Sequence, residues 1–272
     1  MPRSSFPLSQ LALSCLIAIG FSPEMLPQSW ARADMRRSQS WLQIETPKSV
    51  QARPLSLWAT YYYVHRAQAI PNGQPLLDRA GDRLGPTLST KDWCYAALQG
   101  TVLVEDGRHR PVTYNFSGRG ASPQVDCSPF FSSLSGETLD KVNRVRFSRA
   151  RAAYGYGTGG FKLVPYRTIA VDRSQIPIGS VLYVPAARGR QITLPSGEQV
   201  IHDGYFFAAD VGSAIHGNHI DVFVGTAERN PFSFIASRSS GTFKAFLVQA
   251  PEITQVLWAL HAAPLDRDSQ PQ

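Results

Sequence analysis

Between about residue 55 and residue 260 the sequence is built of short apolar segments separated by turn residues, and this spacing most constrains the fold. The segments are rich in aromatic and β-branched side chains, and Gly, Pro, Asn and Asp stand between them. The predicted strands are LWATYYYV, LQGTVLV, VTYNFSG, YRTIAVD, GSVLYVP, QVIHDGYFFAAD, HIDVFVG and FKAFLVQA. Closely spaced strands with few helices predict a mainly β domain that closes as a compact barrel with an elaborated front end.

Two segments have helical character. STKDWCYAAL begins with Ser89 as a candidate N-cap, and Asp92 follows three residues later, close to the capping-box pattern. GETLDKVNRVRFSRARAA carries Leu139, Val142 and Val145 at helical spacing. We therefore predict a helix over each of these two segments.

The N-terminus has the parts of a secretory signal peptide. Arg3 precedes an apolar run over residues 11–21, and the small-residue sequence ARA follows. The run is too short to span a bilayer. We predict a signal peptide over residues 1–33, cleaved after Ala33, which leaves a secreted or periplasmic protein without a membrane span. Lipidation at Cys15 and an uncleaved membrane anchor remain as alternatives.

The remaining chain divides into three parts. Residues 34–54 are polar and lack a sustained period, so they predict a linker. Residues 55–260 are predicted to form the barrel domain, in which residues 64–160 are an elaboration or an insertion. Residues 261–272 predict a flexible tail.

The formal net charge of +7 suits an anionic polymer as partner. Nucleic acid, an acidic lipid surface and a carboxylate-bearing cell-wall glycan all fit that description. Because the signal peptide takes the mature chain out of the cytoplasm, we do not expect nucleic acid as the partner.

Removal of the signal peptide leaves two cysteines, Cys94 and Cys127. In an oxidising compartment such a pair predicts a disulfide, and two buried free thiols are the alternative. The bond would close a loop of roughly 30 residues and stabilise the fold by around 3 kcal/mol. A metal site needs more ligands than this pair offers.

Three aspartates in the second half of the chain stand at apolar strands. Asp172 closes TIAVD, Asp210 closes FFAAD, and Asp221 lies inside HIDVFVG. An aspartate at a strand end usually caps a turn by accepting backbone N–H groups, which explains Asp172 and also Asp203 of HDGY. It does not explain Asp221, which is flanked by apolar residues with no turn residue after it.

The two blocks VPYRTIAVDRSQIPIGSVLYVP and FFAADVGSAIHGNHIDVFVG resemble the three-aspartate, or 3D, domain of the membrane-bound lytic murein transglycosylase A family. Asp172, Asp210 and Asp221 fall on the three acidic positions of that domain. Ser213 replaces a glycine of the family pattern and His216 a lysine. The glycine positions of the family are occupied by Gly179, Gly212, Gly217 and Gly225.

This resemblance implies a fold and a reaction. The fold would be a six-stranded double-psi β-barrel with the aspartates at one end of a groove. The substrate would be the glycan strands of peptidoglycan. The reaction would cleave the β-1,4 bond between N-acetylmuramic acid and N-acetylglucosamine and leave a 1,6-anhydro end, with the last aspartate of the motif, Asp221, as catalytic acid and base.

The chemistry sets a condition on Asp221. The C6 hydroxyl of the substrate attacks C1, so one carboxyl group can be acid and then base, where ordinary glycosidases need two. An ordinary aspartate, with a pKa of about 3.9, is ionised at neutral pH and cannot act as an acid. We expect burial by Ile220 and Val222, and charge from Asp210 and Asp172, to raise the pKa. Asp221 would then hold the proton, while Asp210 stays ionised against the backbone N–H groups of the VGSAIHG loop.

Substrate contacts are expected from the glycine loop and from tyrosines. The candidates are Gly212, Ser213, Ala214, Gly217, Tyr156 and Tyr61. Tyrosine faces stack on sugar rings, and the arginines of RFSRARAAYGYGTGGF can meet carboxylates of peptide stems. The alternatives are a solvated basic helix face for that segment and barrel packing for the YYY segment.

Rival functions remain open at this point. A hydrolytic glycosidase on the same barrel would use Asp210 as the base for water, and a non-catalytic module would bind the cell wall without cleaving it. A zinc site could draw on His202, His216 and His219 together with an aspartate. We expect no metal and no cofactor, and a monomer.

Overall fold

The structure is a computed structural model that describes residue 44, residues 52–107, 109–226, residue 230 and residues 232–263. The predicted signal peptide with its cleavage after Ala33, Cys15, nearly all of the predicted linker and the tail beyond residue 263 lie outside the described residues. Over the ranges just given, no helix is both long and apolar enough to cross a membrane.

Six strands close into a barrel, which confirms the prediction of a mainly β fold. They are β1 (Ala52–Tyr62), β8 (Thr168–Val171), β9 (Val181–Tyr183), β12 (Tyr205–Asp210), β13 (His219–Phe223) and β14 (Phe243–Val248), and they neighbour one another in the order β1, β13, β8, β12, β9, β14. The pairs β1–β13 and β8–β12 are parallel, and the other four are antiparallel.

Alternating side chains of these strands fill the barrel. Ile220 and Val222 of β13 meet Phe206 and Ala208 of β12 in one buried cluster. Successive residues of a strand point to opposite faces, so the residues between them face outwards. That outer face of β13 carries the functional side chains described below.

A second sheet lies in the chain between β1 and β8. It pairs β2 (His65–Gln68), β5 (Thr101–Glu105), β6 (Val112–Arg119) and β7 (Val145–Arg149), in that order. The hairpin of β3 (Gln74–Leu77) and β4 (Arg83–Leu88) and two helices, α1 (Thr90–Gln99) and α2 (Gly136–Asn143), accompany it. These elements share a separate buried core around Trp93 and Phe147. We call them together the inserted unit.

Helix α1 confirms the capping prediction. The Ser89 side chain accepts a hydrogen bond from the Asp92 backbone N–H at 3.0 Å. Gly100 ends the helix in the left-handed conformation, with φ 78°, and its N–H donates to the Ala96 carbonyl. A glycine is needed there because a Cβ atom is strained at such a φ.

The second predicted helix is wrong beyond Asn143. Helix α2 ends there, and residues 145–149 form strand β7 against β6. Val145 and Phe147 are both buried, with Arg146 between them less so, which is a period of two. Val145 fits a helical and a strand pattern equally, and the core of the inserted unit selects the strand.

The predicted strand QVIHDGYFFAAD is also divided. Strand β11 (Gln199–Ile201) pairs with β10 (Gln191–Thr193) in a separate two-stranded sheet, and β12 begins at Tyr205. Gly204, with φ 95°, makes the break, and a Cβ atom there would lie 2.7 Å from the Tyr183 ring. After β14 the chain forms a helix that the sequence analysis missed, α3 (Pro251–His261), which buries Ile253 and Leu257.

A disulfide joins Cys94 of α1 to Cys127 inside the inserted unit, and both residues are fully buried. The two cysteines are separated by 33 positions in the sequence. Closing a loop of this length removes chain entropy from the unfolded state, about 3–4 kcal/mol in the entropic treatment.

Reduction of this bond should therefore destabilise the protein. We expect the free energy of unfolding to fall by about 3–4 kcal/mol when urea denaturation is measured with reductant. The Cys94→Ala/Cys127→Ala variant is the control, since reductant should leave its stability unchanged. Equal stability of oxidised and reduced wild-type protein would contradict the structural role of the bond.

Candidate active site

Parallel pairing of β1 with β13 brings together residues that are far apart in sequence. Trp58 lies opposite His219, and Thr60 lies opposite Asp221. The Trp58 and His219 rings stack at 3.6 Å, and the Thr60 hydroxyl donates to the Asp221 carboxyl group at 2.7 Å. One outer face of the barrel thus presents a row of polar and aromatic side chains.

The burial of Asp221 does not come from its neighbours in sequence, as the sequence analysis expected. Ile220 and Val222 point into the barrel core, on the other face of β13. On the Asp221 face lie Ala170, its partner on β8, and a buried cluster that includes Tyr62 and Phe223.

This environment raises the pKa of Asp221 to about 7. Burial is the main cause, because an ionised carboxylate loses solvation there. The nearby charge of Asp210 raises the pKa further, and the Thr60 hydrogen bond acts in the opposite direction.

Asp210, the last residue of β12, shares the site with Asp221. Its carboxyl oxygens accept from the Tyr62 hydroxyl and from the Val211 N–H, each at 2.9 Å. Burial raises the pKa of Asp210 to about 6, and these hydrogen bonds, with one from the Thr158 backbone, act to lower it. Of the two acids, Asp221 therefore holds a proton more strongly.

Asp172 has a different environment. One of its oxygens accepts from the backbone N–H and the hydroxyl of Ser174, at 2.9 and 2.7 Å, and the other accepts from the Gly217 N–H at 2.8 Å. These hydrogen bonds, led by that of the Ser174 side chain, lower the pKa of Asp172 to about 2. Asp172 is thus an ionised turn cap that anchors the loop between β12 and β13.

A cavity of about 370 Å³ lies between the barrel and the inserted unit, and Asp210 and Asp221 both line it. Of the predicted substrate-binding residues, Gly212, Ser213 and Tyr156 line it as well. The opposite wall belongs to the inserted unit. Its contribution includes Gln99, Asn115, Phe116, Arg119 and Lys141.

The other predicted substrate-binding residues lie elsewhere. Tyr61 packs against the barrel core, and the next tyrosine, Tyr62, lines the cavity. Gly217 donates its N–H to Asp172, and Ala214 is an exposed residue of the same loop.

Two hydrogen bonds hold the walls of the cavity together. The Tyr63 N–H donates to the Gln99 side chain at 3.0 Å, and the Tyr156 N–H donates to the Asn115 side chain. The first joins the end of β1 to α1, and the second joins the loop beside Asp210 to β6. The geometry of the cavity therefore depends on both units.

Sequence reasoning missed Thr60, Tyr62 and the role of His219. The only available signal was the period of two in WATYYY, which places Thr60 and Tyr62 on one face. Their partners could not be known without the strand register. Asp203, expected as a turn cap, accepts the Tyr205 N–H and also forms a buried ion pair with Arg167 at 2.6 Å.

The histidines have separate environments. His202 is buried, its ring contacts the Tyr166 carbonyl and the Gly204 N–H, and burial lowers its pKa to about 3. His219 contacts Thr60, and His216 is exposed. In the described part of the chain, no group of three or more His, Cys, Asp or Glu residues could hold a metal ion.

The family described as the 3D domain matches residues 167–231. The chain contains a 3D domain. Its matched region holds Asp172, Asp210 and Asp221, whereas Thr60 and Tyr62 come from β1, more than a hundred residues earlier. No curated protein sequence matches the chain significantly.

Several solved structures resemble the protein that carries this 3D domain. They include Escherichia coli MltA with bound chitohexaose, at 18% identity and TM-score 0.48, covering 82% of this chain and 81% of that one. A membrane-bound lytic murein transglycosylase from Agrobacterium tumefaciens has 15% identity and TM-score 0.43, covering 72% and 76%. The lytic transglycosylase LtgG of Burkholderia pseudomallei has 19% identity and TM-score 0.37, covering 71% of each chain. At such low similarity, the fold is established by the strand pairing described above.

The raised pKa of Asp221 predicts a pH-dependent effect of Asp221→Asn on stability. Above pH 7 the folded wild-type protein must bury a carboxylate, a cost that decreases as the pH falls from about 7 towards about 4. Asparagine avoids this cost. We expect the variant to have the higher Tm at pH 8, by about 2–4 °C for each kcal/mol of unfolding free energy that it gains. The difference in Tm should disappear near pH 4.

Thermal denaturation followed by circular dichroism at pH 8, 6 and 4 measures this difference. Asp82→Asn, at an exposed position, is the matched control and should show no such trend. A Tm difference for Asp221→Asn that does not change with pH would contradict the burial of its charge.

The backbone beside Asp210 leaves no space for a side chain at Gly157. A Cβ atom there would lie 2.4 Å from the Ala209 carbonyl oxygen and 3.1 Å from the Asp210 Cβ atom. We expect Gly157→Ala to destabilise the fold by about 1–3 kcal/mol and to speed hydrogen exchange at the Thr158 amide. Gly136→Ala, where a Cβ atom meets nothing within 4 Å, should cause neither a loss of stability nor faster exchange.

Proposed function

We propose that the protein is a peptidoglycan lytic transglycosylase with Asp221 as its single acid and base. The observation that carries the proposal is the half-buried Asp221 in the wall of the cavity, with its pKa raised to about 7. The 3D domain and the transglycosylases named above support the choice of substrate.

The first half of the reaction uses Asp221 as an acid. Its proton passes to O4 of the departing N-acetylglucosamine unit as the bond between C1 and O4 breaks. Burial makes this proton transfer possible at neutral pH, because it keeps Asp221 protonated in a large fraction of the molecules. Positive charge develops at C1 of the N-acetylmuramic acid unit.

The second half uses the same group as a base. The C6 hydroxyl of the N-acetylmuramic acid unit attacks C1, and its proton returns to Asp221 as the bond between C1 and O6 forms. No water is consumed, so the product ends in a 1,6-anhydro ring and the enzyme regains its starting state.

Asp210 supports both halves electrostatically. It is the more acidic of the two groups, and hydrogen bonds from Tyr62 and Val211 hold its carboxylate in one orientation. A negative charge there raises the pKa of Asp221 and stabilises the positive charge at C1.

The cavity walls fit a glycan that carries carboxylates. Tyr156, Gly212 and Ser213 lie beside the acids, where a tyrosine ring can stack on a sugar and a hydroxyl can bond to it. Arg119 and Lys141 on the inserted unit supply positive charge for the lactyl group of N-acetylmuramic acid or for peptide stems.

Further parts of the proposal concern the fold and the compartment. The barrel is of the double-psi type, which its two parallel strand pairs support. The mature protein acts as a monomer in the periplasm or outside the cell, in keeping with the signal-peptide pattern of residues 1–33.

Digestion of purified peptidoglycan sacculi tests the function. Wild-type protein should release fragments whose ends weigh one water less than hydrolytic products, as measured by mass spectrometry. Asp221→Asn should reduce the rate about 10²–10⁴-fold, and Asp82→Asn should not. The wild-type rate should also fall as the pH rises above about 7, because Asp221 loses its proton.

Each of the other possible results of the digestion supports a different function. Ends that contain the water indicate a hydrolytic glycosidase, and glycan binding without cleavage indicates a wall-binding module. Loss of activity when a chelator is added would indicate a zinc site. A fully active Asp221→Asn variant would overturn the assignment of the acid.

A further inference from the structure

The Thr60 hydroxyl stands between two groups and can donate to only one of them. Its oxygen lies 2.7 Å from the Asp221 carboxyl oxygen Oδ1 and 2.9 Å from His219 Nε2. A threonine hydroxyl has one proton and accepting lone pairs. One of its two neighbours must therefore donate to the Thr60 oxygen whenever both hydrogen bonds are present.

Two proton arrangements satisfy both hydrogen bonds. In the first, Thr60 donates to an ionised Asp221 and accepts from His219 Nε2–H. In the second, a protonated Asp221 donates to Thr60, and Thr60 donates to the bare Nε2 of His219. The tautomer of His219 decides which arrangement holds while Asp221 carries its proton.

The surroundings of His219 favour a bare Nε2. A backbone hydrogen bond from the ring to Ala214 favours the protonated form of His219. A hydrogen bond has this effect when the ring donates, so the acceptor is the Ala214 carbonyl oxygen. Because Nε2 faces Thr60, we assign the donating N–H to Nδ1. Burial lowers the pKa of His219, which keeps the ring neutral near pH 7 and leaves Nε2 as an acceptor.

The ring is also fixed in place. It is 7% exposed and stacks on Trp58 with 7° between the ring planes. Since His219 and Asp221 are alternate residues of β13, both side chains lie on the same face of the sheet as Thr60 of the neighbouring strand. The relative positions of the three groups are thus set by the strand pairing.

We propose that His219 is a positioning residue that directs the Thr60 hydroxyl, so that Thr60 can hydrogen-bond to Asp221 in both of its protonation states. The inference rests on the proposed role of Asp221 as proton carrier. With Asp221 protonated, Thr60 donates to His219 and accepts the acid proton. When Asp221 has given its proton to the glycosidic oxygen, the Thr60 hydroxyl rotates and donates to the carboxylate. No proton passes between His219 and Asp221.

The proposal predicts that substitutions at Thr60 and at His219 shift the pKa of Asp221 in opposite directions. Thr60→Val removes the donor to the carboxylate, so the pKa of Asp221 should rise. His219→Phe keeps a flat ring against Trp58 but removes the acceptor, so Thr60 donates to the carboxylate more readily and the pKa should fall. Because His219 acts through Thr60, His219→Phe should have no effect when Thr60 is already valine.

Other charged or titratable groups near the site are unchanged in these variants. They are Asp210 of β12, Tyr62 of β1, His216 of the loop before β13, and Arg119 and Lys141 across the cavity. His216→Phe is the matched control, because it removes a neighbouring histidine that does not contact Thr60.

The test is a ¹³C NMR titration of the Asp221 carboxyl group, identified by its loss in Asp221→Asn. We expect shifts of about one pH unit, a tenfold change in acidity, upwards in Thr60→Val and downwards in His219→Phe. The double variant should match Thr60→Val, and His216→Phe should match wild type. The upper limb of the pH profile of kcat should move in the same directions, with KM unchanged.

The conservative variant His219→Gln keeps an acceptor near Thr60 and should restore the wild-type pKa. If His219→Phe does not fold, His219→Leu gives the same comparison with a smaller side chain. Shifts of the same sign in Thr60→Val and His219→Phe, additive shifts in the double variant, or no shift in His219→Phe would overturn the inference. Because the titration needs no substrate, failure of wild-type protein to cleave glycan would reject the proposed function alone.

Discussion

The parallel pairing of β1 with β13 is the interaction on which the site depends. It places Thr60 beside Asp221 and Trp58 beside His219, although each pair is about 160 residues apart in the chain. The same pairing closes the barrel, so the core and the site are built by one set of backbone hydrogen bonds. A shift of one residue in this register would turn Asp221 towards the barrel core and Ile220 or Val222 towards the cavity.

Burying an acid on the outer face of a barrel requires a second layer of structure. Tyr62, Ala170 and Phe223 cover one side of Asp221, and the inserted unit forms the far wall of the cavity. Water is thereby displaced from around a carboxyl group that would otherwise be ionised at neutral pH. Asp172 shows the contrast, since hydrogen bonds from Ser174 and Gly217 to the same residue type in a turn lower its pKa.

The inserted unit has a buried core of its own and forms the far wall of the cavity. It contains a disulfide, and its Gln99 and Asn115 side chains accept hydrogen bonds from the backbone N–H groups of Tyr63 and Tyr156 beside the acids. This division separates two tasks. The barrel holds the reacting groups at fixed distances, and the inserted unit supplies the positively charged wall with Arg119 and Lys141.

The sequence alone determined what depends on local pattern. Short apolar segments between turn residues predicted the barrel strands, and Ser89 with Asp92 predicted the start of α1. The resemblance to the 3D domain pointed to Asp172, Asp210 and Asp221, of which Asp210 and Asp221 line the cavity. Local pattern failed where two periods fit equally, as at Val145, because the choice there belongs to the core that receives the side chain.

Only the tertiary structure decided which groups surround the acids. Sequence neighbours of a strand residue point away from it, so Ile220 and Val222 could not bury Asp221. No sequence motif around Thr60, Tyr62 or His219 indicates which residues they contact. Their roles follow from register between strands, and register is a long-range property that no short stretch of sequence contains.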